Sequence, residues 1–275
     1  MVNIRFRTVR ILDILAVQKT VKISVLTEEL HVSHVTLRKD LDNLEKRGLV
    51  KRTYGYVSLN VADYTGRRMA INYLTKQKIA KAAAEIIEDG ETVMLESGSC
   101  CTIFAEELIT VKKNITIITN SIYIANYLCE LSDFKIILLG GYFQPDSQVV
   151  VGPMTTECAE KVFSDKLFLG VDGFIPGHGF TGMDHLRVET VAALSKQANK
   201  IYVLTEAAKF KRRGTFDLIQ LDKLAGVFTD DGIPKEAEDA LLKNNVMLHK
   251  VPVKEEKIKW RKFPEMPPIM FTEKG

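Results

Sequence analysis

The sequence predicts two domains: a small, mainly α-helical N-terminal domain with a short β-hairpin, and a larger α/β domain with a mostly parallel sheet. Three observations predict this arrangement. Apolar residues recur at helical spacing before residue 48, and an alternating segment interrupted by Gly55 follows. From about residue 76, apolar β-branched runs alternate with helical segments, as in α/β domains. A length of 275 residues suits two domains, because one domain usually has about 100 to 200 residues.

The composition excludes membrane-spanning and secreted proteins. Hydrophobic residues make up 46% of the chain and charged residues 27%, which is ordinary for a globular protein with a sizeable core. No apolar run approaches the roughly 20 residues that cross a bilayer. The basic start leads into an amphipathic pattern and not into the continuous apolar stretch of a signal peptide. We therefore expect a cytoplasmic protein.

The cysteines indicate neither a metal site nor a disulfide framework. The sequence has four of them, Cys100, Cys101, Cys129 and Cys158, with no CxxC pair and no histidine at metal-ligand spacing. We expect reduced thiols, no bound metal and no cofactor.

The positive charge is concentrated in the first fifth of the chain. Residues 1–60 contain 11 Lys and Arg against 6 Asp and Glu, a net charge of +5, which leaves −2 for the remainder of a chain whose total is +3. This asymmetry is typical of a segment that contacts a polyanion. An ordinary solvated surface also carries a net charge of this size. The residue pattern therefore has to distinguish such a surface from a polyanion-binding site.

Two helices are predicted before residue 31. Residues 9–17 carry apolar side chains at helical spacing and form the first helix. Residues 18–23 are interpreted as a linker. Ser24 then suits the N-cap of a short second helix.

A third helix follows a tight turn. Ser33 suits its N-cap, the helix covers residues 34–47, and Gly48 ends it. Its apolar positions are Val35, Leu37, Leu41 and Leu44. Two short helices joined by a tight turn, the second with hydroxyl and basic groups in its first turns, are typical of a helix-turn-helix that enters the major groove of DNA.

The segment after Gly48 predicts a wing. Residues 49–59 alternate in polarity around Gly55, which indicates a small hairpin with basic and aromatic residues near its tip. Arg52 and Tyr54 are placed to touch phosphates or a minor groove, whereas Lys51 is equally well explained as a solvated strand charge.

The predicted DNA contacts come from the third helix and the wing. Asp40 and Glu45 are expected to pair with Arg38 or Arg47, or to cap neighbouring groups, and not to contact DNA. His34 is either a groove contact or a surface residue. The predicted DNA-binding residues are Ser33, His34, Thr36, Arg38, Lys39, Arg52, Tyr54 and Gly55.

The periodicity is lost between about residues 60 and 75, where we place the boundary between the domains. The predicted limits are residues 1–60 for the DNA-binding domain, 61–75 for a linker, 76–255 for the second domain and 256–275 for a tail. Strands are predicted at residues 92–95, 115–119, 135–139, 166–171 and 200–205, with a last one near 226–229; helices begin at residue 76 and cover 101–108, 122–131 and 187–198.

Small or polar residues follow five of these strands. They lie at residues 96–102, 119–121, 140–141, 172–174 and 205–209. The first of these segments leads into a helix, a setting in which free backbone amides and the helix dipole bind phosphate. Because ligands bind at the carboxyl ends of parallel strands, these loops together predict a ligand pocket.

Each of these residues also has a plainer interpretation. The glycines suit ordinary turns, Asp172 an N-cap, Lys209 a surface charge, and Cys100 and Cys101 small core positions. Four aromatic residues, Tyr123, Tyr127, Phe163 and Phe168, are expected in the core and are given no function.

Residues 33–48 and 52–56 resemble the recognition helix and wing of the DeoR family of repressors. The positions that match the family spacing together are Thr36, Arg38, Asp40, Leu44, Glu45 and Gly48. Two positions depart from the family: Leu37 stands where isoleucine is usual, and Tyr56 replaces the second glycine of the wing. The resemblance implies a winged helix-turn-helix.

The later loops resemble the DeoR effector domain, whose fold is similar to ribose-5-phosphate isomerase and the coenzyme A transferases. The resemblance covers about residues 5–250. It implies that residues 97–100 form a phosphate loop, that residues 120–121 and 140–141 line the pocket, and that residues further along supply polar groups for a sugar. The implied effector-binding residues are Glu96, Ser97, Gly98, Ser99, Cys100, Asn120, Ser121, Gly140, Gly141, Asp172, Gly173, Glu189 and Lys209.

The effector loops also depart from the family. Glu96 stands where aspartate is usual, Cys100 and Cys101 replace hydroxyl residues, and residues 206–209 replace an aspartate-serine-serine-lysine pattern. Because lost hydroxyl donors weaken polar contacts, the effector is expected to differ from the better-known ones.

Together these features predict a transcription regulator that is not an enzyme. We expect a repressor of a carbohydrate operon that binds double-stranded operator DNA and is modulated by a phosphorylated sugar or related metabolite. DNA-binding modules of this kind usually bind two half-sites of an operator. We therefore expect a homo-oligomer, either a dimer or a tetramer. Two alternatives stay open: a transcription activator, and a sugar-phosphate isomerase with a DNA-binding arm that uses Asp172, Lys209 and Glu96 for proton transfer.

Overall fold

The computed structural model describes residues 4–59, 68–129 and 134–253 of the chain. The N-terminal domain packs its helices over a small antiparallel sheet of strand order β1-β3-β2. Its elements are α1 (Ile4–Gln18), β1 (Thr20–Lys22), α2 (Ile23–Leu30), α3 (His34–Lys46), β2 (Val50–Thr53) and β3 (Tyr56–Leu59).

The three predicted N-terminal helices are present, and most of their apolar positions form the core, whereas Val17 and Val35 are exposed. The fully buried side chains include Ile11, Leu12, Leu15, Leu26, Leu37, Leu41 and Leu44. The α3 boundaries agree with the sequence to within one residue. The Ser33 hydroxyl accepts a hydrogen bond from the Thr36 amide at 3.1 Å, and Gly48 takes a φ of 67° beyond the helix end.

The predicted linker and the predicted start of α2 are wrong. Residues 20–22 form a strand that pairs with β3, with Val21 opposite Val57. The N-cap of α2 is Lys22, and Ser24 lies inside the first turn. The cause is tertiary: the wing supplies backbone hydrogen-bond partners for this segment, so the chain passes directly from strand to helix.

The predicted partners of the acidic residues on α3 are also wrong. Asp40 is buried and accepts two hydrogen bonds from Arg7, from Nε at 2.6 Å and from Nη2 at 3.0 Å. Glu45 pairs with Arg52. Asp40 shares the inward face of α3 with the core leucines, so it meets α1 and not its helical neighbours.

The second domain is built on a seven-stranded, fully parallel sheet of order β15-β14-β12-β9-β4-β5-β6, which confirms the predicted α/β class. Its strands are β4 (Thr92–Leu95), β5 (Thr116–Thr119), β6 (Lys135–Leu138), β9 (Ser164–Leu169), β12 (Ala198–Leu204), β14 (Gly226–Asp230) and β15 (Met247–Val251). A hairpin of β7 (Tyr142–Gln144) and β8 (Val149–Val151) and a small sheet of β10 (Gly173–Ile175), β11 (Gly179–Gly182) and β13 (Phe216–Gln220) lie outside it.

Helices cover both faces of the parallel sheet. The described helices on one face, to which the N-terminal domain also packs, are α4 (Tyr73–Glu85), α5 (Ser99–Val111) and α6 (Ile122–Cys129). Those on the other face are α7 (Pro153–Ala159), α8 (His185–Ser195) and α9 (Lys235–Lys243). The central strands are therefore shielded on two sides, which explains their nearly continuous apolar sequences, whereas Ile137 and Leu138 on the edge strand β6 are exposed.

Three details of the second domain differ from the prediction. The last strand is β15, which the sequence pattern does not predict. The reason is that His249 and Lys250 on this edge strand are exposed. Ala198 begins β12 and does not end α8. Phe163, expected in the core, is 76% exposed because it lies in the turn before β9.

The Arg7–Asp40 pair generates a stability prediction. Asp40→Asn removes the charge that faces a buried guanidinium, and the hydrogen bond to Asp40 holds the pKa of Arg7 above its ordinary value. We expect a loss of about 3 kcal/mol in the free energy of unfolding, the usual cost of breaking a buried ion pair. Urea denaturation of the full chain measures it.

The matched control is Asp42→Asn on the same helix. Asp42 also faces an arginine, Arg52 at 2.6 Å, but its side chain is 46% exposed. Solvent-exposed ion pairs contribute less than about 1 kcal/mol to the free energy of unfolding. Equal losses for the two variants would contradict the assignment of Asp40 to the core.

Candidate nucleic-acid interface and ligand pocket

The first turns of α3 present polar side chains to solvent. Ser33, His34, Arg38 and Lys39 are exposed. Thr36 is half-buried, since its hydroxyl lies 2.9 Å from that of Ser33. The predicted groove-facing residues therefore share one surface.

Val35 belongs to the same surface, contrary to the expectation that it is a core position. Its side chain is 67% exposed, whereas the other three apolar residues of α3 are fully buried. An exposed apolar side chain between polar ones suits contact with a thymine methyl group. The sequence pattern did not predict this exposure, because an apolar residue beside the buried positions of a helix is assigned to the same buried face.

The tip of the wing is formed by residues 54 and 55. Tyr54 is 99% exposed with a φ of 44°, and Gly55 has a φ of 82°. Arg52 is less accessible, because its guanidinium contacts Asp42 at 2.6 Å and Glu45 at 2.5 Å. The structure thus brings Tyr54 to the tip and uses Arg52 to tie the wing to α3.

Tyr56, which replaces the second wing glycine, packs within the domain. The Lys22 ammonium lies 5.7 Å from the centre of its ring. This cation–π contact joins the wing to β1.

A fully buried carboxylate, Glu96, lies at the carboxyl end of β4. Its Oε1 accepts hydrogen bonds from Arg187 Nη2 at 2.9 Å, Arg187 Nε at 3.3 Å and the Ser97 hydroxyl at 2.6 Å. Its Oε2 has no hydrogen-bond partner among the described residues. The charge of Glu96 raises the pKa of Arg187 above its ordinary value although burial lowers it, so the guanidinium stays charged.

Two more predicted residues meet near Arg187. Asp172 lies 3.9 Å from Arg187 Nη1 and 4.0 Å from Lys209 Nζ. Asp172 accepts a hydrogen bond from the Met183 amide at 3.1 Å and does not cap a helix. Lys209 is largely buried and not a surface charge; burial, and then the charge of Arg68, lower its pKa below the ordinary value.

The predicted phosphate loop packs tightly against the end of β9. Gly98 has a φ of 129°, which favours glycine, and no side chain caps the helix that starts at Ser99. A Cβ at Gly170 would lie 2.6 Å from the Ser97 carbonyl oxygen. The first backbone amides of α5 therefore have neither a side-chain cap nor an acceptor in their own helix.

Lys76 and Glu206 stand beside this loop. The Lys76 side chain is 2% exposed, lies 3.2 Å from Glu206 and donates to the carbonyl oxygens of Arg68 and Ile71. Burial raises the pKa of the Cys100 thiol to about 12, and the charge of Lys76 opposes this shift. Cys100 is therefore a neutral, buried group, as the plainer interpretation expects.

Asn120 and Ser121 lie at the end of the neighbouring strand β5. Asn120 is fully buried, with Nδ2 donating to the Val150 carbonyl oxygen at 3.1 Å and Oδ1 without a hydrogen-bond partner in the described part of the chain. The Ser121 hydroxyl accepts from the Ile124 amide at 3.2 Å and begins α6.

Some predicted pocket residues have other contacts. Glu189 is 53% exposed and lies 3.7 Å from His185. The Gly140 carbonyl oxygen accepts from the Thr155 hydroxyl at 2.9 Å, and a Cβ at Gly141 would collide with the same side chain. A Cβ at Gly173 would lie 2.6 Å from the Arg212 carbonyl oxygen, so close packing against the loop of residues 212–214 explains that glycine.

The structure adds two cations that the sequence did not single out. Arg187 lies on α8 and Lys76 on α4. A small cleft lies next to Arg187. Its lining residues are Gly170, Asp172, Gly182, Met183, Asp184, Arg187, Val188 and Leu218.

No helix among the described residues is long and apolar enough to span a membrane. The same residues contain no group of three or more His, Cys, Asp or Glu arranged to hold a metal ion.

Family models match both parts of the chain. Residues 7–63 match the DeoR-like helix-turn-helix domain, and residues 71–231 match the DeoR C-terminal sensor domain. The predicted resemblance is confirmed.

Similar curated proteins are transcription regulators. A putative aga operon transcriptional repressor of Escherichia coli O157:H7 is 29% identical, over 87% of this chain and 91% of that protein. The glycerol-3-phosphate regulon repressor of Escherichia coli K12 is 26% identical, over 86% and 95%. The lactose phosphotransferase system repressor of Staphylococcus epidermidis is 28% identical, over 77% and 86%.

Similar solved structures are more distant. Ribose 5-phosphate isomerase A of Methanocaldococcus jannaschii is 18% identical, with a TM-score of 0.38 over 50% of this chain and 55% of that one. The translation initiation factor eIF-2B of Pyrococcus horikoshii OT3 is 16% identical, with a TM-score of 0.41 over 80% and 86%.

The Glu96–Arg187 pair predicts non-additive stability changes. Arg187→Met removes the only ion pair of a fully buried carboxylate in the described part of the chain and should cost about 3 to 5 kcal/mol of unfolding free energy. Adding Glu96→Gln to that variant should restore part of the loss, because the uncompensated charge is gone. Urea denaturation of the two single variants and the double variant gives the coupling. Strictly additive losses, or a loss as large in the exposed control Arg213→Met, would contradict the pairing.

Proposed function

Because the chain belongs to the DeoR family of DNA-binding transcription regulators, we propose that it represses a carbohydrate operon and that a phosphorylated sugar or related metabolite controls its operator affinity. The observation that carries the effector half of this proposal is the uncapped start of α5, which lies among buried and half-buried cations. The similar aga, glycerol-3-phosphate and lactose repressors support the carbohydrate assignment.

The DNA half of the site is the exposed surface of α3 and the wing tip. Arg38 and Lys39 stand in the first turns of α3, where recognition helices contact base edges. An arginine there suits a bidentate contact to guanine, and Val35 suits a neighbouring thymine methyl group. Tyr54, at the wing tip, extends this surface toward the sugar-phosphate backbone of the DNA.

Arg38→Ala should weaken operator binding by about 10- to 100-fold, the value of one bidentate base contact. The binding measurement uses a duplex that the wild-type chain selects from a random library. Lys46→Ala, which removes an exposed charge from the other end of α3, is the control. Unchanged affinity in Arg38→Ala would mean that α3 is not the reading helix.

The effector half suits a small anion. Lys76 and Lys209 lie near the start of α5, and Cys100 senses both charges as well as that of Arg68. Helix N-termini and clustered cations together favour phosphate.

Thermal unfolding of the full chain against a panel of sugars and their phosphorylated forms tests the effector class, because a ligand of the folded state raises the melting temperature. We expect shifts with phosphorylated compounds alone. Lys209→Met should weaken binding of the best compound by about 10- to 100-fold, the value of a charged hydrogen bond. Lys211→Met, an exposed lysine on the same 3₁₀ turn, should bind as the wild type does. No shift with any phosphorylated compound would refute the effector assignment.

The lowered pKa of Lys209 gives that binding a pH dependence. Only the protonated lysine attracts a phosphate, and burial makes this lysine lose its proton below the ordinary value of 10.5. Affinity should therefore begin to fall with rising pH before 10.5 is reached, in a range where the phosphate stays doubly charged. Lys209→Met should flatten this profile. A wild-type profile that is already flat would contradict the contact.

We propose that the chain acts as a regulator and not as an isomerase. Asp172 and Lys209 lie 4.0 Å apart, beyond hydrogen-bond distance, and Glu96 is buried and held by Arg187 and Ser97 on one oxygen. Incubation with candidate sugar phosphates and a product assay distinguish the two functions. Turnover at ordinary enzyme rates would overturn this part of the proposal.

We also propose that the second domain assembles the chain into a homo-oligomer. Recognition helices of this kind usually read two half-sites. Sedimentation of the full chain, with and without the selected duplex, measures the stoichiometry, and one chain per duplex would refute it.

A further inference from the structure

Arg47, the last residue of the recognition-helix segment, contacts the second domain. Its Nε donates to the Tyr127 hydroxyl at 2.8 Å, and its Nη2 lies 2.9 Å from the Tyr73 hydroxyl and 2.7 Å from Glu106 Oε2. The Tyr123 hydroxyl donates to the Arg47 carbonyl oxygen at 2.9 Å. Both the side chain and the backbone of the α3 end are therefore held.

The contact is desolvated and geometrically specific. The Arg47 side chain is 12% exposed. Burial would lower its pKa, but Glu106 and the two tyrosines raise it above the ordinary value, so the guanidinium stays charged. The ring of Tyr73 lies 5.4 Å from the guanidinium carbon. The Arg47 guanidinium is planar and its N–H donors point in fixed directions. Partners on several sides therefore fix its orientation.

The three side-chain partners lie on three helices that begin near the proposed pocket. Glu106 is on α5, which starts at Ser99. Tyr127 is on α6, which begins beside Ser121. Tyr73 is the first residue of α4, whose Lys76 pairs with Glu206.

The path between the pocket and Arg47 is short and stiff. Seven residues of helix separate Ser99 from Glu106, a distance of about 10 Å at the helical rise of 1.5 Å per residue. A helix transmits a displacement of its first turn to the residues that follow. A ligand that moves the start of α5 or α6 therefore moves the partners of Arg47.

We propose that Arg47 is a positioning residue that couples the pocket to the recognition helix. Ligand binding shifts α5 and α6, and Arg47 carries the shift to α3. Coupling of this kind is reciprocal, so operator binding must change the pocket by the same route. The inference rests on the proposed position of the pocket.

The reciprocal direction allows a test that needs DNA alone. Hydrogen exchange of the full chain is measured with and without the duplex selected by the wild type. In the wild type, saturating duplex should change amide exchange in residues 97–106 and 121–128 by about fivefold or more, the lower end of ordinary coupling. In Arg47→Gln the change should disappear, while the duplex still protects α3.

Two variants separate coupling from a general loss of structure. Lys46→Gln removes the same charge from the neighbouring exposed residue and should keep the wild-type response. Arg47→Lys keeps the charge and should restore part of the change in amide exchange. If Arg47→Gln fails to give a cooperative thermal transition, Tyr127→Phe replaces it, because this change removes one hydroxyl and keeps the ring.

The outcomes are distinct. A wild-type pocket that does not respond to the duplex, or a response that persists in Arg47→Gln, overturns the proposal. Loss in Arg47→Gln with retention in Lys46→Gln supports it. The sugar-phosphate assignment is tested separately by the thermal shifts of the wild type, so its failure leaves this readout intact.

Discussion

The second domain depends on the burial of one charge, that of Glu96, at the end of a central strand. A carboxylate without exposure is tolerated only when a cation neutralises it, and Arg187 does so at 2.9 Å. This pairing ties α8 to the end of β4, and Asp172 lies 3.9 Å from the same guanidinium. The shape and the charge of the pocket edge therefore follow from a single desolvated pair.

The N-terminal domain repeats this principle in a smaller core. Asp40 is buried between α3 and α1, and Arg7 satisfies it with two hydrogen bonds. The same helix ends at Arg47, whose charge is satisfied by the other domain. One face of α3 is thus fixed from within, its end is fixed from outside, and its exposed face is left for DNA.

The features that were predicted correctly depend on neighbours along the chain. The Ser33 cap, the leucine stripe of α3, the tight turn at Gly55 and the order of strands and helices all arise from periodicity and local backbone preference. The errors concern distant contacts. β1 exists because the wing pairs with it, and Tyr123 and Tyr127, expected to be ordinary core residues, hold the end of the recognition helix.

The sequence by itself determined the two-domain class, the helix-turn-helix with its wing, and the loops that gather at one edge of a parallel sheet, because these follow from local patterns of polarity and turn residues. Only the tertiary structure decided which charges meet. No sequence pattern singled out Arg187 or Lys76, since no local pattern reports what a side chain faces across the fold. Desolvation is set by packing, and packing is a property of the folded chain.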